Sequence, residues 1–123
     1  MPDNMTATIL IDLAKNRIRI YKKTLYALGE PEYILLIVNP EGKTLGIIRG
    51  SENDNGAHKV RLERLKGKNC YELYSKSLVS RLRKVCPEWN NSLSYRINGV
   101  FIQGQSIAHF NMADAEFLEK KKG

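Results

Sequence analysis

The chain is poor in the residues that staple, anchor or catalyse. Its two cysteines, Cys70 and Cys86, lie far apart with no CxxC spacing. That spacing excludes a zinc ribbon and reads as two reduced structural thiols, with a single disulfide as the alternative. Reduced thiols fit a cytoplasmic protein. The N-terminus, MPDNMTATIL, carries acid where a signal peptide needs basic residues, and the longest apolar run, Tyr33 to Val38, is far short of the roughly 20 residues of a membrane span. A soluble protein without a membrane partner is the expectation. His58 and His109 share no HExxH spacing, no GxSxG elbow or phosphate-binding glycine loop is present, and neither cysteine has an evident base partner. No enzyme, catalytic residue, metal or cofactor is therefore expected. Aromatics are only 8% of residues, which disfavours a single-strand binder that stacks bases on aromatic rings.

Acid is also in short supply. Thirteen Asp and Glu face twenty Lys and Arg, for a net charge of +7. Such a chain is drawn to polyanions, whether nucleic acid, an acidic protein or a membrane surface. With 123 residues and 42% hydrophobic content it can bury a core as one domain, 1–123, without staples.

What the sequence does have is an internal echo. A shift of 53 positions lays Lys15-Asn16 on Lys68-Asn69, and Tyr21, Lys23 and Leu25 on Tyr74, Lys76 and Leu78. Ile9/Leu62, Ile18/Tyr71, Ile20/Leu73 and Thr24/Ser77 are conservative pairs on the same diagonal, and a short slippage then aligns Pro31-Glu32-Tyr33 with Pro87-Glu88-Trp89. A repeat present only twice suggests half-domains that complete one another's core. The repeats run approximately over 5–49 and 58–110, with a polar connector at 50–57.

Local patterns assign elements to each half. Thr6 to Ile11 reads as a strand, Ala14-Lys15-Asn16 as a turn, and Arg17 to Tyr21 as a strand with Ile18 and Ile20 on one face and Arg17, Arg19 and Tyr21 on the other. Lys22 to Leu28 is a short helix closed by Gly29 in a left-handed conformation. Tyr33–Val38 and Lys43–Arg49 form a hairpin around Asn39-Pro40-Glu41-Gly42. In the second half His58–Leu65 and Cys70–Tyr74 read as strands, and Ser75–Val85 as a serine-capped helix with Leu78, Leu82 and Val85 inward. Ser92–Ile97 and Val100–Gln103 flank Asn98-Gly99, a strong signal for a two-residue hairpin. Asn111 to Lys121 reads as a C-terminal helix capped by Asn111 and anchored by Phe117 and Leu118, or as a fraying tail, 111–123. The expected fold is α+β, mainly β: two ββαββ repeats forming one pseudo-two-fold barrel-like domain.

Residues 16–29, NRIRIYKKTLYALG, resemble the signature stretch of the AbrB/MazE-like swapped-hairpin DNA-binding domains, in which a glycine-arginine turn leads into a strand, a short helix ending in Leu-Gly, and a hairpin. Asn16 stands at the turn glycine, Arg17 follows it, and Tyr21 occupies the place of the usual proline. In the second copy Cys70 stands where the arginine would be. The resemblance implies a barrel of intertwined hairpins with a basic two-fold surface against DNA, here as a tandem, internally duplicated version, either a monomeric pseudo-dimer or a homodimer. It places DNA contacts on Arg17 and its neighbours.

The candidate nucleic-acid-binding residues are Lys15, Arg17, Arg19, Lys22, Lys23, Lys76 and Arg81. On an exposed strand face Lys15, Arg17, Arg19, Lys22 and Lys23 can track phosphates by displacing counterions, and the alternative is a solvated strand edge protected by charge. Lys76, Arg81, Arg83 and Lys84 lie on a helix whose outer face is charged in either case. His58, Lys59, Arg61, Arg64, Lys66 and Lys68 make a third basic stretch, equally suited to polyanion contact and to solubility. Trp89 reads as a core aromatic pinning the start of a hairpin rather than a base-stacking platform. Together these features predict a small duplex-DNA-binding regulator or antitoxin-like repressor, with Lys15, Lys22, Lys23 and Lys76 anchoring phosphates and Arg17 and Arg19 reading base edges. The alternative is a phage or mobile-element interaction protein that binds a host protein or its nucleic-acid-binding surface.

Overall fold

A computed structural model describes residues 6–102 and 106–118. Along the chain run β1 (Thr6–Asp12), β2 (Arg17–Tyr21), α1 (Lys22–Ala27), β3 (Tyr33–Asn39), β4 (Thr44–Gly50), β5 (His58–Lys59), β6 (Cys70–Tyr74), α2 (Lys76–Val85), β7 (Ser94–Ile102), β8 (Ile107–Asn111) and β9 (Glu116–Leu118). All pair antiparallel in one sheet, in the order β5-β3-β4-β8-β7-β1-β2-β6, with β9 on β7. The sheet curls into a half-barrel. Its two ends come back together, because the Tyr71 hydroxyl of β6 donates 3.1 Å to the Lys59 carbonyl of β5. No helix among the described residues is long and apolar enough to cross a membrane.

Alternation builds the core. Ala7, Ile9 and Ile11 of β1, Ile18 and Ile20 of β2, Leu45 and Ile47 of β4, Ile97 of β7 and Phe110 of β8 are all fully buried on the concave face. α1 lies against β1 and β2 through Leu25, and α2 packs against β2 with Leu78, Val79 and Leu82 buried. The small apolar spacing of α1 would not hold a six-residue helix alone; tertiary packing does. Gly29 closes it at φ +91°, as its position in the sequence predicts, and Asn16 takes φ +51° in the β1–β2 turn. Ser75 caps α2 by accepting from Leu78 N at 3.2 Å. Trp89 is 9% exposed and stacks on Tyr95 at 4.7 Å, so it pins the entry to β7 from within the core.

Three expectations fail. The first is the strand over 58–65, of which only His58–Lys59 pairs; Leu62–Leu65 is a 3₁₀ turn. Val60 and Leu62 do alternate, but the next inward position is Arg64, and the turn exchanges it for Leu65, which is 6% exposed. The second is the hairpin at Asn98-Gly99. β7 runs straight through both residues, with Asn98 opposite Thr8 and Gly99 opposite Ala7. Glycine is there for room: a Cβ would stand 2.6 Å from Phe110 Cδ2 and closer still to the His109 carbonyl oxygen. The reversal falls instead between Ile102 and Ile107, and Gln103 lies outside the described residues. The third is the C-terminal helix. Asn111 does cap a turn, accepting from Ala113 N, but that turn is a 3₁₀ piece of three residues. Glu116–Leu118 then adds to the edge of β7, where open ladder groups outcompete a helix with few anchors, and Phe117 is 57% exposed. The lysine run beyond it lies outside the described residues.

Candidate nucleic-acid interface

Where β5 and β6 meet, the sheet has a seam instead of a ladder. The opposite margin of β2, against β1, is zipped by the pairs from Ile9↔Ile20 to Asp12↔Arg17. Between β5 and β6 the chain makes the 3₁₀ turn and a tight turn at Gly67, φ +78°. The side chains that a ladder would have aligned splay around a hollow of 550 Å³. Five cations line it: Arg19 from β2, Lys59 from β5, Arg61 just before the 3₁₀ turn, Arg64 within it, and Lys68 from the turn before β6. Leu65, Cys70 and Tyr71 form its apolar wall, and among the described residues Glu72 is the only acid there.

Charge balance within the hollow is uneven. Glu72 is spent on β2, its Oε2 lying 3.0 Å from Arg19 Nε and 3.6 Å from Arg17 Nη1. Lys59, Arg61, Arg64 and Lys68 are exposed and have no acidic partner among the described residues. Four unneutralised cations around one concavity attract a chain of phosphates, since each contact releases a condensed counterion. Burial opposes charge on His58 at the same edge and holds its imidazole below the usual histidine range, so it adds no cation near neutral pH. Burial likewise raises the Tyr71 hydroxyl, which stays protonated as the donor to Lys59.

The seven residues singled out from the sequence do not form one patch. Arg19 lines the hollow, whereas Lys22 stays outside its lining, its Nζ donating 3.1 Å to the Leu65 carbonyl while standing over the Tyr26 ring. Arg17 is on the outward face as its alternation predicts, yet its side chain is 11% exposed and bonds Asp12 at 2.8 Å. Burial works against its charge, but bonds to Tyr74 and Asp12 outweigh that and keep the guanidinium charged. It is a cross-strand clamp. Lys15, Lys23 and Lys76 project into solvent. Arg81 belongs to a different hollow, beside Val38, Pro40 and Lys84. Arg83, from the same helix, is occupied by the Leu13 carbonyl and Asn91.

The 58–68 basic stretch, equally suited by its sequence to polyanion contact and to solubility, supplies four of the hollow's cations. As a strand it would turn Lys59 and Arg61 outward and Arg64 toward the core; as a broken turn it gathers all three on one hollow. The available signal was Arg64 at a position where the first repeat has buried Ile11. Neither a protein-family model, nor a curated protein, nor a solved structure matches the chain.

Proposed function

We propose that the chain is a duplex-DNA-binding protein of the repressor type, made of two fused ββαββ halves, which grips the phosphate backbone at the cationic seam. The observation that carries the reading is the convergence of Lys59, Arg61, Arg64 and Lys68 with Arg19 on one hollow. Phosphate contacts there position the duplex, and Arg19 is the fork best placed to reach a base edge once DNA competes for Glu72.

The two-half reading has its own support. The 53-residue shift that relates Asn16 to Asn69 also relates two backbone bonds across the β2–β6 ladder: Lys22 N to Asn69 O at 2.8 Å, and Ser75 N to Asn16 O at 3.0 Å. The middle pair of that ladder, Arg19↔Glu72, joins positions related by the same shift. A pseudo-two-fold protein favours a partial dyad in its target, as paired half-sites mirror protein symmetry.

Cys70 supplies a native reporter, because it lines the seam while Cys86 is 2% exposed. Duplex binding by anisotropy, weakening steeply with salt, is expected to slow modification of Cys70 by a thiol reagent. Binding without protection of Cys70 moves the site elsewhere; no binding at low salt rejects the nucleic-acid reading. One feature favours the rival reading as a protein-binding inhibitor: among the described residues β6 pairs with β2 alone, which leaves its other backbone edge open beside the cations, suited to an added acidic strand. Capture of a protein from nuclease-treated lysate, lost on adding duplex, would support it.

A further inference from the structure

The hollow at the seam has two kinds of lining, and a phosphate backbone uses only one of them. The 58–68 segment brings Arg61, Arg64 and Lys68, exposed and without an acidic partner among the described residues. Lys59 is partly committed elsewhere, its ammonium standing 5.9 Å over the Tyr33 ring. Leu65, Cys70 and Tyr71 make up the apolar part. The Tyr71 hydroxyl is engaged by the Lys59 carbonyl, so what this half-buried side chain offers the hollow is its ring. Asn69, also in the lining and exposed, carries an amide that can both donate to and accept from a base edge. The volume, 550 Å³, falls within the roughly 300–1,000 Å³ of small-molecule sites, where an apolar wall with a few convergent polar groups is the usual arrangement. The sugars and phosphates of a passing duplex present nothing apolar to such a wall.

We infer that the hollow is a nucleoside triphosphate site, with the base against Tyr71, Leu65 and Cys70 and the phosphates on Arg61, Arg64 and Lys68. The inference rests on the phosphate-grip reading of the seam and adds a regulator to it. Arginine's planar fork bonds two phosphate oxygens at once, so Arg61 and Arg64 can hold a short chain of phosphates where a lysine holds a point charge. An aromatic face accepts any base by stacking, which fixes the class of ligand without fixing the base. The cations also take the place of the metal that usually accompanies a triphosphate. Glu72, the hollow's one acid among the described residues, is held by Arg17 and Arg19. That leaves no free carboxylate there for magnesium, an ion bound through carboxylates together with phosphates. Binding therefore needs no magnesium, and added magnesium weakens it by competing for the phosphate oxygens. A nucleotide seated in this way takes the same Arg61, Arg64 and Lys68 that the duplex needs, so each ligand lowers the affinity for the other by the same factor.

Isothermal titration calorimetry with ATP, in EDTA and without DNA, tests this directly. The expected result is a single ATP per chain, with tripolyphosphate at least tenfold weaker because it lacks the base, and adenosine without detectable uptake because it lacks the phosphates. Arg61→Ala together with Arg64→Ala should weaken ATP at least tenfold while leaving the urea midpoint unchanged, since both side chains are exposed. Tyr71→Phe, which keeps the ring, should bind ATP as the unaltered chain does, whereas Tyr71→Leu should weaken ATP severalfold and leave tripolyphosphate unchanged. ATP at ten times its own dissociation constant should weaken duplex binding about tenfold. No uptake of ATP overturns the inference, and so does tripolyphosphate binding as tightly as ATP, or ATP binding that is indifferent to the arginine changes. Because the titration needs no DNA, its failure is separate from failure of the duplex reading: a chain that takes up ATP and binds no duplex rejects the proposed function and retains the nucleotide site.

Discussion

β1 and the 58–65 segment each precede a turn and a strand of the β2–β6 ladder, yet one is a seven-residue strand paired on both edges and the other pairs through two residues. Ala7, Ile9, Ile11 and then Leu13 run inward from the first without interruption. The second begins the same way with Val60 and Leu62, then meets Arg64. A guanidinium cannot be turned into an apolar core without several kcal/mol of desolvation cost, so the backbone leaves the ladder. What is lost in pairing becomes an open, positively charged seam. The difference teaches that one charged side chain at an inward position is enough to turn a paired strand into an open, cationic seam.

The sharpest test of that contrast is paired truncation. Ile9→Ala, at a fully buried ladder position, should lower unfolding free energy by about 2–5 kcal/mol, against roughly 1 kcal/mol for Leu62→Ala at the half-buried counterpart, both read from urea midpoints. Equal losses would mean that the seam is as structural as the ladder. Replacing Arg61, Arg64 and Lys68 together by alanine should reduce the log–log salt slope of duplex binding by about 0.9 for each phosphate contact removed, with little change in stability. The same treatment of Lys15, Lys23 and Lys76 should change the slope less.

Tyr71→Phe removes the side-chain bond from Tyr71 to the Lys59 carbonyl that draws β6 to β5 and should cost about 0.5–1.5 kcal/mol. Its pH dependence has a definite sign. Burial holds the Tyr71 hydroxyl above its ordinary 10.0, so the stability it contributes is whole below pH 10 and fades as pH rises through the raised value. The unaltered protein should therefore lose stability in alkali more steeply than the phenylalanine variant. The smallest effect is expected from Glu72→Gln, which releases Arg19 from a half-exposed ion pair. Duplex affinity should rise about threefold with almost no change in melting temperature, because such pairs contribute little.

Much of the framework is legible in the sequence where one pattern had one structural meaning. RIRIY reads as a strand with Ile18 and Ile20 inward, Gly29 as a helix stop and Ser75 as a cap, and each is found so. Patterns with two meanings mislead. Asn-Gly signals a tight turn, but glycine serves equally where another strand must pass close, and only the position of Phe110 distinguishes the cases. Val60 and Leu62 look like a strand until Arg64 is seen to face a core that the sequence does not display. The candidate site was partly hidden for a related reason. Strand alternation puts Arg17 and Arg19 on an outer face but does not show the Glu72 carboxylate that reaches both, because it arrives by cross-strand pairing from more than fifty positions away.

Asn98-Gly99 carries one more consequence, in chemical ageing. An asparagine followed by glycine is the dipeptide most prone to deamidation, because the unhindered glycine amide nitrogen can attack the side-chain carbonyl and close a succinimide. In β7 the backbone is held extended between Thr8 and Ala7 on β1, and the Asn98 side-chain oxygen accepts from the Thr8 hydroxyl at 3.0 Å. Ring closure needs a backbone fold that this ladder forbids. The conversion of Asn98 to aspartate thus runs only while the centre of the sheet is open, and it is read at the Asn98 peptide, because the exposed Asn55-Gly56 of the connector is free to undergo the same change in the folded protein.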